Sequence, residues 1–180
     1  MLVALTAAAE IAFWIVLLAG LVLRYPMRRP RLGGWVLLCL PLIDLLLLAA
    51  AVADLRRGAE PSGAHGLAAL YLGFTVAYGH YTLRWADGHA AHRFGGAPRP
   101  PRPPRYGAAR ARHEWRLWLM TLLATAIALL VLQLLVWLSA DGAQAGPLRG
   151  WQGRAVAIAG VHGFIALTYT IWPKKAPEGA

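Results

Sequence analysis

Five apolar stretches, each long enough to cross a lipid bilayer as a helix, occupy most of this 180-residue chain. An α-helix needs about 20 apolar residues to span about 30 Å of hydrocarbon. The intervening segments are rich in Arg, Pro and Gly, the residues expected in turns and loops. The pattern predicts an all-α fold, a polytopic membrane helix bundle forming a single membrane domain over residues 1–180. The predicted transmembrane helices are Leu2–Leu23, Gly33–Ala53, Gly66–Leu83, Leu117–Leu138 and Ala155–Trp172.

Basic residues are divided unequally between the two faces of such a bundle. Of the 18 Lys and Arg residues, 14 fall in segments 24–32 and 84–116 and in the C-terminal tail, which share one face if all five helices span. The other face holds only Arg56, Arg57, Arg149 and Arg154. Cytoplasmic loops of membrane proteins carry the excess of Lys and Arg. The charge pattern therefore predicts an outside N-terminus and a cytoplasmic C-terminus in a bacterial plasma membrane.

Polar side chains interrupt the apolar stretches at similar predicted depths. Glu10 and Asp44 each cost about 2.5–3.5 kcal/mol to insert, and ionisable residues within a membrane are functional candidates. Counted from the predicted outer ends, Glu10, Asp44, Gln133 and His162 lie roughly 8–14 Å deep, and His65 lies just above them. These five residues are predicted to form an interior polar cluster. Its role is either to bond helices together or to support transport, proton transfer or a cofactor.

The third stretch has the features of a central helix. Small residues recur every four positions and form a groove that admits a neighbouring helix at close range. They are Ala69, Gly73 and Ala77. On a helical period the same face continues through His80, Arg84 and Asp87, so these three side chains are predicted to point inward.

The segment from Ala86 to Glu114 is predicted to be a cytoplasmic loop rich in Arg and Pro. Residues 98–105 should adopt an extended polyproline conformation, and residues 106–116 a short basic helix. Because the charge lies beside the membrane, anionic lipid headgroups are the expected partner, and nucleic acid is not. A membrane-protein partner or a second copy of the chain is the alternative. The predicted lipid-binding residues are Arg99, Arg102, Arg105, Arg110 and Arg112.

Signatures of catalysis and of metal binding are absent from the sequence. There is no phosphate-binding glycine loop, no His-Glu-x-x-His and no Cys-x-x-Cys, and the single cysteine lies within the second stretch. Asp87, His89 and His92 lack a fourth ligand at a defined spacing, so no metal site is predicted. We therefore expect no catalytic residues and no cofactor, with b-type haem held by His65 and His162 as the alternative.

Several short motifs resemble those of the YmcC-like group of small actinobacterial membrane proteins, whose function is unknown. The motifs are Asp54-Leu-Arg-Arg-Gly, His65-Gly-Leu-Ala-Ala-Leu-Tyr-Leu-Gly, Gly79-His80, Arg84-Trp85-Ala86-Asp87 and Glu114-Trp115-Arg116. The similarity covers most of residues 25–120. It implies a bacterial plasma-membrane protein and assigns no functional residue.

Three functional hypotheses follow from the sequence. The leading one is a non-enzymatic plasma-membrane protein that binds anionic lipid or a membrane partner through its basic cytoplasmic loop. The second is a small transporter or proton-coupled channel in which Glu10 and Asp44 exchange protons. The third is a redox subunit that binds b-type haem or a metal through its histidines.

Overall fold

Every regular element that the computed structural model describes, over residues 2–58, 60–139 and 145–174, is an α-helix. The helices are α1 (Leu2–Arg24), α2 (Pro30–Leu38), α3 (Leu40–Arg56), α4 (Gly63–Gly95), α5 (Gly107–Leu138) and α6 (Gly146–Ile171). The predicted all-α fold is therefore confirmed for these ranges. Within these ranges, α5 and α6 are long and apolar enough to cross a membrane, with mean hydropathies of 2.5 and 1.4. The Ile11–Arg24 part of α1 forms a shorter apolar helical stretch.

The second predicted helix is broken into two at Cys39. Pro41 lies in the first turn of α3, where its missing N–H removes no helical hydrogen bond. At the break, the backbone N–H of Cys39 donates to the carbonyl oxygen of Val36, three residues back, at 3.1 Å. Leu37 is buried at the break, and a Cβ on Gly20 of α1 would lie only 2.7 Å from its side chain. The break is thus covered by α1, which packs along both α2 and α3.

Helices α4 and α5 extend well beyond the third and fourth predicted spans, to which they correspond. α4 continues past Leu83 to Gly95, and α5 begins at Gly107, so most of the predicted loop from Ala86 to Glu114 is helical. Only residues 96–106 between them lack a helix. A fall in hydropathy along a helix does not interrupt its backbone hydrogen bonds. Gly96 ends α4 by adopting a left-handed conformation with φ of 67°, which glycine tolerates best.

Small residues allow α4, α5 and α6 to pack closely together. Gly73 of α4 lies so near α5 that a Cβ there would overlap the carbonyl oxygen of Ala124. A Cβ on Gly163 of α6 would lie 2.6 Å from the indole nitrogen of Trp118. At the end of the bundle where α3 ends and α4 begins, a core cluster joins α3 to α4, α5 and α6. Its members are Leu55, Ala69, Leu132, Leu135, Val136, Ala145 and Leu148.

Candidate functional site

Two contacts bring distant basic segments together at one end of the bundle. Arg24 Nε lies 3.2 Å from Asp87 Oδ1, which joins the end of α1 to α4. The backbone N–H of Gly107 donates to the carbonyl oxygen of Lys174 at 3.0 Å, which joins the start of α5 to the segment after α6. We call this region, formed by residues 24–31, 84–116 and 169–174, the basic end.

Positive charge at the basic end is largely uncompensated. The carboxylates described there are Asp87 and Glu114, and each already pairs with an arginine, Arg24 and Arg110 respectively. The remaining basic side chains described at this end are all exposed, and no described carboxylate pairs with them. They are Arg28, Arg29, Arg31, Arg84, Arg93, Arg99, Arg102, Arg105, Arg112, Arg116 and Lys174.

Arg110 differs from the other arginines predicted to bind lipid. Its guanidinium pairs with Glu114, which is only 5% exposed, and lies 5.0 Å from the centroid of the Tyr169 ring. The side chain is therefore engaged inside the protein, where it neutralises a buried carboxylate. The other four predicted arginines, by contrast, are exposed at the surface: Arg99, Arg102, Arg105 and Arg112.

The predicted inward face of the third span is only partly observed. Asp87 is half-buried and pairs with Arg24, whereas His80 and Arg84 are exposed. A helix turns about 100° per residue, so Arg84 lies about 100° away from the direction of His65 while Asp87 returns to within about 40°.

Tyr25, just after the end of α1, has a raised pKa. Its burial, followed by the hydrogen bond to Asp87 and the charge of Asp87, raises the pKa of Tyr25 to about 12.

His89 and His92 bond to the backbone of their own segment. Nδ1 of His89 lies 2.8 Å from the carbonyl oxygen of Trp85, and Nδ1 of His92 lies 2.8 Å from that of Ala97. Both rings therefore stabilise the last turns of α4. Among the described residues, no group of three His, Cys, Asp or Glu side chains is placed to hold a metal ion.

A cleft of about 760 Å³ lies between α4, α5 and α6. Its walls are apolar and include Leu67 and Phe74 on α4 and Ile158, Val161 and Ile165 on α6. One end is polar, because Tyr78, Thr121 and His162 also line it.

The polar end of the cleft is a hydrogen-bonded chain that links three helices. The Tyr78 hydroxyl donates to the carbonyl oxygen of Leu117 at 2.7 Å and lies 2.6 Å from Thr121 Oγ1. Thr121 Oγ1 in turn lies 2.6 Å from Nδ1 of His162. We call Tyr78, Thr121 and His162 the hydroxyl–imidazole chain. Its remaining ring nitrogen, His162 Nε2, has no hydrogen-bond partner among the described residues.

Tyr78 and Thr121 were not predicted as site residues. Both are uncharged, so the search for ionisable groups within apolar stretches passes over them. The available signal is the pair Thr121 and Thr125, which lie one turn apart and so share a face of the fourth predicted helix. Only the register between helices shows which tyrosine and histidine that face meets.

The structure does not bring Gln133 and His162 together. The Gln133 side chain accepts a hydrogen bond from Gln152 at 3.2 Å, whereas His162 lies beside Thr121. Gln133 and Thr121 are about 18 Å apart along α5. The predicted depth of His162 was counted from Ala155, but α6 begins at Gly146.

Glu10 and Asp44 occupy α1 and α3, but their side chains lie outside the described part of the structure. Their place in an interior polar cluster therefore stays a prediction.

His65 is buried at the end of the bundle opposite the basic end. Its Nδ1 accepts a hydrogen bond from the backbone N–H of Ser62 at 3.2 Å and caps the start of α4. Its Nε2 lies 3.5 Å from Asp54 Oδ2. His65 precedes the predicted third span. Burial lowers the pKa of its imidazole, and the nearby charge of Asp54 raises that pKa by a smaller amount.

His65 and His162 are not arranged as axial ligands of one haem. Gly66, next to His65, packs against Trp151 of α6. His162 lies about 16 Å further along that helix. Axial ligation requires both imidazoles to reach the same iron. This histidine pair does not fit the group.

Comparison with known proteins identifies one informative relative. No family model matches the chain, and no solved structure matches it. The chain is 37% identical over 171 residues to a Bacillus subtilis protein described as an uncharacterized membrane protein, YmcC. The alignment covers 95% of this chain and 92% of that relative. It supports the YmcC-like resemblance, whereas the predicted actinobacterial character has no support from a Bacillus protein.

Proposed function

The chain belongs to the YmcC family of membrane proteins, and on that premise we propose that its basic end binds anionic lipid headgroups at the cytoplasmic surface of the plasma membrane. In this proposal α1, the α2–α3 pair, α4, α5 and α6 each cross the bilayer. An odd number of crossings places the two termini on opposite faces of the membrane. The positive-inside rule then puts the basic end inside and the N-terminus outside.

The uncompensated charge of the basic end is the observation that carries this proposal. Each Lys or Arg held near an anionic membrane surface contributes about 1 kcal/mol of attraction. Tryptophans with large exposed surfaces lie at the same end: Trp35, Trp85 and Trp172 are 70%, 59% and 73% exposed. Indole rings favour the boundary between hydrocarbon and headgroups. Together these side chains would hold the arginines at headgroup level.

Replacing Arg99, Arg102 and Arg105 by Gln is expected to weaken binding of phosphatidylglycerol by about 100-fold at low salt, because each arginine contributes about 1 kcal/mol. Binding of zwitterionic phosphatidylcholine should change little. The measurement is a lipid titration of the purified full chain in neutral detergent, followed by native mass spectrometry. Raising the salt should shrink the difference, because exposed charges are screened.

The matched control is a triple substitution at the opposite end, with Arg56, Arg57 and Arg149 replaced by Gln. All three are exposed, and replacing them removes the same total charge as the triple substitution at the basic end. This variant should retain wild-type affinity for phosphatidylglycerol. Equal losses in the two triple variants would show that net charge alone, and not the basic end, determines binding.

The proposed orientation predicts a specific labelling pattern in intact cells. In a Cys39→Ser background, a cysteine introduced by Arg57→Cys should react with a membrane-impermeant maleimide. A cysteine introduced by Arg102→Cys should react only after the membrane has been permeabilised. The reverse pattern would invert the orientation, and labelling of both positions in sealed cells would show that α4 does not cross the bilayer.

A further inference from the structure

We propose that the cleft between α4, α5 and α6 binds one molecule of an uncharged lipid that carries a carbonyl or hydroxyl group on a long apolar chain. The site is distinct from the basic end and uses none of its arginines. Its dimensions, its polar end and its lack of charge each contribute to this assignment.

The length of the cleft matches that of one lipid chain. On α4 the cleft runs from Leu67 to Tyr78, a distance of about 16 Å. That is close to half of the hydrocarbon thickness of about 30 Å. Ligand clefts typically enclose about 300–1,000 Å³, and this one encloses about 760 Å³. Phe74, Ile158 and Val161 are each more than half exposed along it and offer apolar surface to a chain.

The hydroxyl–imidazole chain supplies a single hydrogen-bonding position at one end. If Thr121 donates to Nδ1 of His162, then Nε2 carries the ring proton and donates. If Nδ1 donates to Thr121, then Nε2 accepts. Either way, one hydrogen bond is left for a ligand oxygen. A polar group without a partner in an apolar environment is unfavourable, so an oxygen atom on the bound chain would stabilise the imidazole.

The described lining offers no counter-charge to a charged headgroup. None of the described lining residues is Asp, Glu, Lys or Arg. An ionised phosphate or carboxylate placed there would have no counter-charge and would be strongly unfavourable. Two kinds of neutral lipid share the required chemistry: acylglycerols, through their ester carbonyl or hydroxyl groups, and isoprenoid quinones, through their ring carbonyls.

The test uses the purified full chain in neutral detergent with two probes, monolauroylglycerol and decylbenzoquinone. Binding is followed by tryptophan fluorescence, because Trp118 lies beside the cleft and donates to the carbonyl oxygen of Ala159 at 3.0 Å. We expect saturable binding of at least one probe at one molecule per chain. The probe that binds more tightly identifies the source of the natural ligand.

Two substitutions connect this binding to the cleft. Ala157→Phe fills the apolar wall and should weaken binding at least ten-fold. Ala126→Phe, at another exposed alanine, which lies on α5 and does not line the cleft, should leave the binding unchanged. His162→Leu removes the hydrogen bond and should weaken binding about three- to ten-fold. The same change should not alter phosphatidylglycerol binding at the basic end.

Three results would overturn the proposal. They are non-saturable partitioning of both probes, equal effects of Ala157→Phe and Ala126→Phe, and unchanged affinity in His162→Leu. Competition by laurate as effective as that by monolauroylglycerol would also overturn it, because the site is assigned to uncharged ligands. Should Ala157→Phe fail to fold, Ile158→Trp fills the same wall from an exposed position and replaces it in the comparison.

Discussion

Replacing Arg110 by Ala should destabilise the protein by about 3–5 kcal/mol, because it leaves the buried carboxylate of Glu114 without its partner. The substitution also removes the guanidinium from the Tyr169 ring. The measurement is the free energy of unfolding in mixed micelles, obtained from a denaturant titration of the purified chain.

Arg112→Ala is the matched control for this prediction. Arg112 lies on the same helix, is exposed and has no described carboxylate partner, so its removal should change the stability by less than about 0.5 kcal/mol. The double variant Arg110→Leu, Glu114→Leu should recover most of the loss, because an apolar pair avoids the unpaired charge. Equal effects of Arg110→Ala and Arg112→Ala would show that the buried pair contributes nothing.

Gly73→Leu is the second substitution with a large expected effect, a loss of about 3 kcal/mol or more, at the upper end of overpacking penalties. A Cβ on Gly73 would overlap the carbonyl oxygen of Ala124 and lie 3.1 Å from the backbone nitrogen of Ala128. Backbone atoms cannot turn aside as a side chain can, so α4 and α5 must separate. The thermal midpoint in detergent, with tryptophan fluorescence as the readout, measures the loss.

Gly79→Leu provides the comparison on the same helix. A Cβ at Gly79 meets no atom within 4 Å, so the substitution should be tolerated. The better helix propensity of leucine could then raise the stability by up to about 1 kcal/mol. If Gly73→Leu were as stable as Gly79→Leu, the close contact between α4 and α5 would be refuted.

The helical architecture could be predicted because hydropathy and small-residue spacing are local properties of the sequence. Gly73 was identified in this way as part of a packing groove, and it lies against α5. The charge asymmetry was equally visible, since arginine positions need no knowledge of packing. Helix ends were less predictable: α4 carries on through residues 84–95 because a fall in hydropathy does not break backbone hydrogen bonds.

The contacts between helices could not be predicted, because they depend on register. His162 was recognised as a polar residue within an apolar stretch, but its partner Thr121 depends on how α5 and α6 are aligned. Arg24 and Asp87 are far apart in the sequence, so their pairing likewise depends on how α1 and α4 are aligned. The exposed position of Arg84 follows from its angle on α4, about 100° from the direction of His65.

The core cluster that joins Leu55 to Leu148 has a consequence for biosynthesis. Translation proceeds from the N-terminus, so α1, α2 and α3 are synthesised while the residues that complete this cluster are still untranslated. Leu148 is in the first turn of α6, which follows the other described helices in the sequence. The contacts that join Leu55 to the rest of this cluster can therefore be completed only after α6 has begun to be synthesised. A nascent chain stalled before residue 146 should accordingly be far more sensitive to membrane proteases than the finished protein.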